Sequence, residues 1–207
     1  MKEIECLLIR HGKTQGNIEK RYIGCKTDEE LCAAGIEELE RGKLIDRTKL
    51  KIDSRVYISP MLRCVQSADI LLPECEKEVV DDFREIDFGA FENKTYEELN
   101  GDKHYQRWID SNGTLPFPKG ELREVFIVRN IKAFTDVLYK ECVRNTETVI
   151  PFVIHGGSIM AIMSSLTGED YFDFHISCGE GILVKCLVGE GKIDVISYDR
   201  ICVGCDT

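Results

Sequence analysis

Three short apolar runs, each closing on chemically capable side chains and each followed by helix-patterned sequence, restrict this chain to a layered α/β architecture. Residues 4 to 9 read as a buried strand that closes on Arg10, His11 and Gly12. A helix is expected over 31 to 48, with Leu31, Ala34, Leu39 and Leu44 among its apolar positions. Val56, Tyr57 and Ile58 form a second strand that stops at Ser59-Pro60, and the proline suits the first turn of the next helix. That helix, about 61 to 72, puts Met61, Cys64, Val65, Ala68, Leu71 and Leu72 at spacings of three and four, with Arg63 in its first turn off the apolar stripe.

A long helix follows over about 121 to 141, through Ile127, Ile131, Phe134 and Leu138. The third run, TVIPFVIHGGS, leads into His155 and a glycine pair. Pro151 lacks an amide donor, so this strand is expected to begin at or after it. Two strands, 181 to 188 and 193 to 198, close the chain around a turn at Gly189 to Gly191. The stretch 82 to 120 is punctuated by Gly89, Gly101, Gly113, Pro116, Pro118 and Gly120 and reads as a cap. The expectation is a three-layer α/β/α sandwich with a mostly parallel central sheet and a small irregular or helical cap, all within one unit spanning 1 to 207.

A chain of 207 residues that is 43% hydrophobic can bury a substantial core. Its net charge of −10 argues against a general nucleic-acid or membrane surface, since non-specific binding to either needs many unpaired Lys and Arg. The first apolar run is far shorter than a signal core or a membrane span, so a cytoplasmic protein is expected, monomeric or homodimeric. Ten cysteines, scattered singly as at Cys6, Cys64, Cys142 and Cys186, read as small buried hydrophobes in a reducing compartment. Cys202 and Cys205 form a CxxC, but no second pair stands at zinc-ligand spacing and no helix start follows for redox chemistry. No metal or cofactor is expected.

Four places share one design, in which a strand ends and a functional side chain follows: Arg10 and His11, Arg63, Glu85, and His155. In open α/β sheets the ligand crevice lies at the carboxyl ends of the strands, so the four can converge. Two arginines, two histidines and a carboxyl group in one crevice make an anion site with a nucleophile and an acid. Gly12 and the Gly156-Gly157 pair allow close backbone approach to a ligand. His104 and His175, in polar or loop contexts, read as ordinary structural histidines, and Asp82, Asp87 and Glu92 as ordinary loop or cap charges.

LIRHGKTQGN, YISPMLRCVQSADIL, FREIDFGAF and VIHGGS, in that order, make the chain resemble the histidine phosphatase, or phosphoglycerate mutase-like, superfamily over nearly its whole length. The resemblance implies that His11 is the nucleophile that becomes phosphorylated and that Arg10, Arg63 and His155 bind the phosphoryl oxygens. It implies that Glu85 is the proton donor and that Asn17 is an auxiliary phosphate contact. The Thr14 hydroxyl or the Gly156 backbone would assist, and Gly24 would form a substrate-side turn. The partner so implied is a small phosphorylated metabolite.

Within the superfamily, FREIDFGAFENKTYEELNG followed by TLPFPKGE is most similar to the α-ribazole phosphatase group of late cobalamin biosynthesis. The chain departs from the family's pattern at Lys13 and at Lys119, Gly120, Glu121 and Leu122, and the two lysines are expected to add positive charge near the mouth. Tyr96, Tyr105 and Trp108 can either stack on a heterocycle or form cap core. A broad-specificity metabolite phosphatase and a phosphoglycerate mutase are the alternatives, the mutase disfavoured by a short cap without an Arg-Arg pair. A silent binding protein is disfavoured by the full set of reactive residues. Cys25, beside the expected pocket, reads either as oxidation-sensitive or as an inert loop residue.

Overall fold

The computed structural model describes residues 1–41, 50–144, 147–189 and 191–201. Six strands form one sheet: β1 (Lys2–Arg10), β2 (Arg55–Ile58), β3 (Glu76–Val79), β4 (Ile150–Ile154), β5 (Gly181–Gly189) and β6 (Lys192–Ile201). Their spatial order is β3-β2-β4-β1-β5-β6. The first four run parallel, while β5 pairs antiparallel with β1 and with β6. Helix α1 (Gln15–Ile18) follows β1, then α2 (Ala33–Arg41), α3 (Leu62–Leu71), α4 (Lys103–Asp110), α5 (Arg123–Arg144) and α6 (Gly156–Thr167).

Alternation along the parallel strands sends side chains to two faces, and helices cover both. Ile4, Leu8, Phe152 and Ile154 pack with Phe134 and Leu138 of α5 and with Ile159 and Ile162 of α6. Leu7, Ile9, Val56, Ile58 and Val153 pack on the other side with Leu39 of α2 and with Cys64, Ala68 and Leu71 of α3. This is the expected three-layer sandwich. A third cluster, Ile86, Phe91, Leu99 and Phe117 with Phe126 and Ala161, gathers the 86–117 stretch over the end of the sheet.

Among the boundaries that differ from those expected, two turn on strand pairing. The second helix begins at Ala33, leaving Leu31 in a bridge with Thr14, and positions 42 to 49, Leu44 among them, lie outside the described residues. The strand after α5 runs through Pro151 instead of starting at or after it. Pro151 falls between the isolated Ile52–Val149 bridge and the β2–β4 ladder at Tyr57–Phe152, so its missing N–H costs no ladder bond there. Of the cysteines read as buried, Cys6, Cys64 and Cys186 are so, Cys142 is half-buried, and all four are free thiols. Cys202 and Cys205 lie outside the described residues. Among the described residues no helix is long and apolar enough to cross a membrane.

Candidate active site

The carboxyl ends of β1 and β4, which are adjacent strands, deliver the two histidines. Arg10 is level with Ile154 in the parallel ladder, so His11 and His155 emerge side by side. Their rings meet edge to face with centroids 5.1 Å apart. The His11 Nδ1 lies 2.7 Å from the Gly12 carbonyl oxygen, which fixes the proton on Nδ1 and leaves Nε2 as the acceptor. Arg63 Nε donates to that Nε2 at 3.3 Å. Burial, then the Arg63 and Arg10 guanidinium groups, hold the His11 imidazole well below its usual pKa near 6.5. His155 caps the start of α6, its Nε2 is 2.7 Å from the Ser59 hydroxyl, and burial followed by Arg63 pushes its pKa down as well. Both imidazoles are therefore neutral at pH 7.

Arg63, expected in the crevice, is 1% exposed and reaches the His11 ring. Its Nη1 and Nη2 donate to the Thr27 and Gly24 carbonyls at 3.0 and 3.3 Å, so the first loop anchors the guanidinium. Gly24 has the room for this only as glycine, since a Cβ there would lie 2.2 Å from the Ile86 carbonyl oxygen. Glu92 is likewise more than a cap charge, since its carboxylate accepts from the Gly24 and Phe88 amides at 2.8 and 3.2 Å and ties the first loop to the cap. Arg10 donates from Nη1 to the Ile176 carbonyl at 2.7 Å, while its buried Nε has no protein partner among the described residues. A buried donor left unspent at such a place is ready to donate to an anion.

Glu85 is 8% exposed and lies in the turn after β3. Its carboxyl oxygens accept from the Ile86 amide at 3.0 Å and the Gly157 amide at 3.3 Å. Burial outweighs these bonds and the attraction of Arg63 and Arg10, so its pKa is raised above the usual 4.5. Asn17 and Thr14 form a capping box at α1: the Asn17 Oδ1 accepts from the Thr14 amide at 3.1 Å and the Thr14 hydroxyl caps the Asn17 amide at 3.3 Å. The Thr14 hydroxyl is therefore committed to the helix and not to a ligand. The Asn17 NH₂ remains for the cavity that Asn17 lines.

A cavity of about 340 Å³ opens over Arg10, Asn17, Glu85, Gly156 and Gly157. His11, Arg63 and His155 are buried beside these residues and are not part of the cavity's lining. Its outer wall carries Trp108, Phe117, Arg123 and Tyr171. Trp108 serves both cap and cavity; Tyr105 stacks on it at 14° within the cap, and Tyr96 is exposed beside an adjoining groove. Lys13 lines that groove while paired with Glu38 at 2.6 Å, whereas Lys119 is exposed and outside the lining of both spaces. His175, read as merely structural, lines both, and burial followed by Arg10 lowers its pKa; His104 is exposed, as expected. Burial pushes the half-buried Cys25 thiol up, which favours the inert reading. Tyr171 and Arg123 carried no sequence signal, because each reaches the site from a position whose neighbours show only ordinary helix or loop patterning, whereas Ser59 stood at a strand end without being assigned a role.

Gly157 leaves no room for a side chain beside the Glu85 carboxyl group. A Cβ there would lie 2.3 Å from a Glu85 carboxyl oxygen and 3.2 Å from the Phe126 ring. Gly157→Ala is expected to lower kcat/KM for phosphate-ester turnover by about tenfold or more by displacing the carboxyl group. Steady-state kinetics beside a thermal melt check it, and an unchanged kcat/KM would show that the Glu85 position is not critical.

A neutral imidazole nitrogen, two fixed guanidinium groups and a carboxyl group with a raised pKa can together perform displacement at phosphorus. Several solved or curated proteins are similar to this chain. A crystal structure of phosphoserine phosphatase from Entamoeba histolytica, in complex with 3-phosphoglyceric acid, is 25% identical, with a TM-score of 0.76 and coverage of 98% of this chain and all of that one. A 2,3-bisphosphoglycerate-dependent phosphoglycerate mutase from Corynebacterium diphtheriae is 27% identical across 84% of this chain and 82% of its own length. The α-ribazole phosphatase from Shigella flexneri, 21% identical with a TM-score of 0.74 and coverage of 93% and 94%, shares the fold. The family model that matches residues 6–196 is the histidine phosphatase superfamily (branch 1), and the chain belongs to that superfamily.

Proposed function

We propose that the protein is a phosphomonoester hydrolase that works through a phosphohistidine on His11, with α-ribazole 5′-phosphate, or adenosylcobalamin 5′-phosphate, as substrate. The observation that carries the reaction is the pairing of a neutral His11, its Nδ1 pinned by Gly12, with a buried Glu85 whose pKa is raised. In the first step Nε2 exchanges the Arg63 N–H for the phosphorus atom, the P–O bond to the alcohol breaks, and the Glu85 carboxyl gives its proton to the departing oxygen. In the second step the Glu85 carboxylate takes a proton from water, which attacks the phosphohistidine and breaks the P–N bond. Arg10, with its unspent Nε, and Arg63 balance the charge on the equatorial oxygens, so this scheme needs no metal ion. The Asn17 amide adds a donor to the same oxygens, His155, whose ring meets that of His11, is assigned to the same phosphoryl group, and Gly156 lets that group approach Arg10.

The substrate assignment draws support from the FREIDFG and TLPFPKGE stretches and from the aromatic wall of Trp108 and Phe117, which suits a planar base. A second reading rests on Arg123. Its guanidinium lines the cavity 5.0 Å above the Tyr171 ring and, among the described residues, has no carboxylate partner. That unspent charge suits a carboxylate on the departing alcohol, and a broad-specificity phosphatase of small metabolites would use it so. Phosphate release in excess EDTA, compared by kcat/KM across α-ribazole 5′-phosphate, 3-phosphoglycerate, phosphoserine, sugar phosphates and nucleotides, separates the readings. A strong preference for α-ribazole 5′-phosphate is the expected result. Even turnover across the panel would overturn the cobalamin assignment, and loss of all turnover in EDTA would overturn the metal-independent scheme.

A further inference from the structure

We infer that Arg129, oriented by Glu121, is the positioning residue that holds the Glu85 carboxyl group where it can exchange a proton with the leaving oxygen. The inference rests on the role given to Glu85 above. A guanidinium has five N–H donors in a fixed plane, and here all five are spent on one task. Nη1 donates to the Asp82 and Arg84 carbonyls at 2.5 and 2.7 Å, and Nη2 donates to the carbonyl of Glu85 itself at 3.2 Å. The remaining two, from Nε and Nη2, form a forked pair with the Glu121 carboxylate at 2.8 and 2.9 Å. Three consecutive-turn carbonyls are thus gathered onto one side chain of α5, while the Glu85 carboxyl group has only the Ile86 and Gly157 amides to orient it. The brace reaches the second of these as well: the Arg129 guanidinium lies 4.7 Å over the Phe126 ring, which packs against Gly157. Glu121 is itself seated on the acid-bearing loop, its amide donating to the Asp87 carbonyl at 2.9 Å beside Gly120, where a Cβ would lie 2.3 Å from that oxygen. A lysine would keep the charge but lose the fork and could not reach three carbonyls and a carboxylate together.

The test is a ratio. For Arg129→Lys, kcat/KM on the alkyl phosphate turned over best by the wild type is expected to fall on the order of 10- to 100-fold, against a change within about threefold on p-nitrophenyl phosphate, whose leaving group scarcely needs a proton. Glu121→Gln should shift the ratio in the same direction by less, and it carries the test if Arg129→Lys does not fold. In a Glu85→Gln background, Arg129→Lys should add no further loss on the alkyl ester, because both changes act on one group. Equal losses on both esters, or losses that add to those of Glu85→Gln, would overturn the inference and leave Arg129 as a structural clamp. A wild-type protein that releases phosphate from neither ester would overturn the phosphatase reading itself.

Discussion

His11→Ala is expected to lower phosphate-ester turnover by about four orders of magnitude or more while leaving the fold intact. The magnitude follows from the geometry: among the described residues no second unprotonated nitrogen is placed as His11 Nε2 is, since His155 Nε2 is engaged by the Ser59 hydroxyl. The fold is expected to survive because the side chain contributes one bond to its neighbour's carbonyl, one long bond from Arg63 Nε and one ring contact. Brief exposure to phosphoryl-labelled substrate should leave an acid-labile label on the wild type and none on the variant. Substantial remaining activity with an unchanged circular dichroism spectrum would rule out His11 as the nucleophile. The same variant should change stability with pH. Both buried histidines have pKa values below the usual 6.5, so the stability they permit is fully present above about pH 6.5 and is lost as the pH falls toward the folded values. Removing one of them should blunt the acid-side fall in melting temperature.

The strand ends were the legible part of this molecule. Apolar runs of three to six residues that stop at Arg10-His11, Ser59 and His155 specify both the sheet and the side of it on which ligands meet, because parallel strands put all their carboxyl ends on one edge. Arg63 was legible as a residue but not as a buried one, since an inward arginine and a solvated one occupy the same place in a helical pattern. Pro151 misled because a missing donor matters only where a ladder bond is due, and register is a property of strand pairs. The unread part consists of contacts across long stretches of chain. Glu92 to Gly24, Arg129 to the Glu85 turn and His175 beside Arg10 join residues 44 to 165 positions apart, and no local spacing announces them.

Glu85→Gln should separate the two halves of the chemistry. Glutamine keeps the shape and can still accept from the Ile86 amide, but its NH₂ then faces the Gly157 N–H, so the weaker of the two bonds, at 3.3 Å, is lost. It has no acidic proton to give. The expected loss in kcat/KM on alkyl phosphates is about 10²- to 10⁴-fold, with a far smaller loss on p-nitrophenyl phosphate. Because kcat/KM ends at the first irreversible step, the later need for a base does not enter the comparison. The pH profile supplies an independent sign. With its pKa raised by burial, Glu85 donates below that value and ceases to as the pH rises through it, so the alkaline limb of the wild-type alkyl profile should flatten in the variant. Stability should move the opposite way. A raised folded pKa contributes stability that is complete below the unfolded value near 4.5 and is lost as the pH rises through the folded one. Above that point the glutamine protein, freed of a buried carboxylate, should melt no lower than the wild type. Equal losses on both esters would remove the acid role from Glu85, whereas a selective loss with a flattened alkaline limb would tie its buried proton to the breaking of the ester bond.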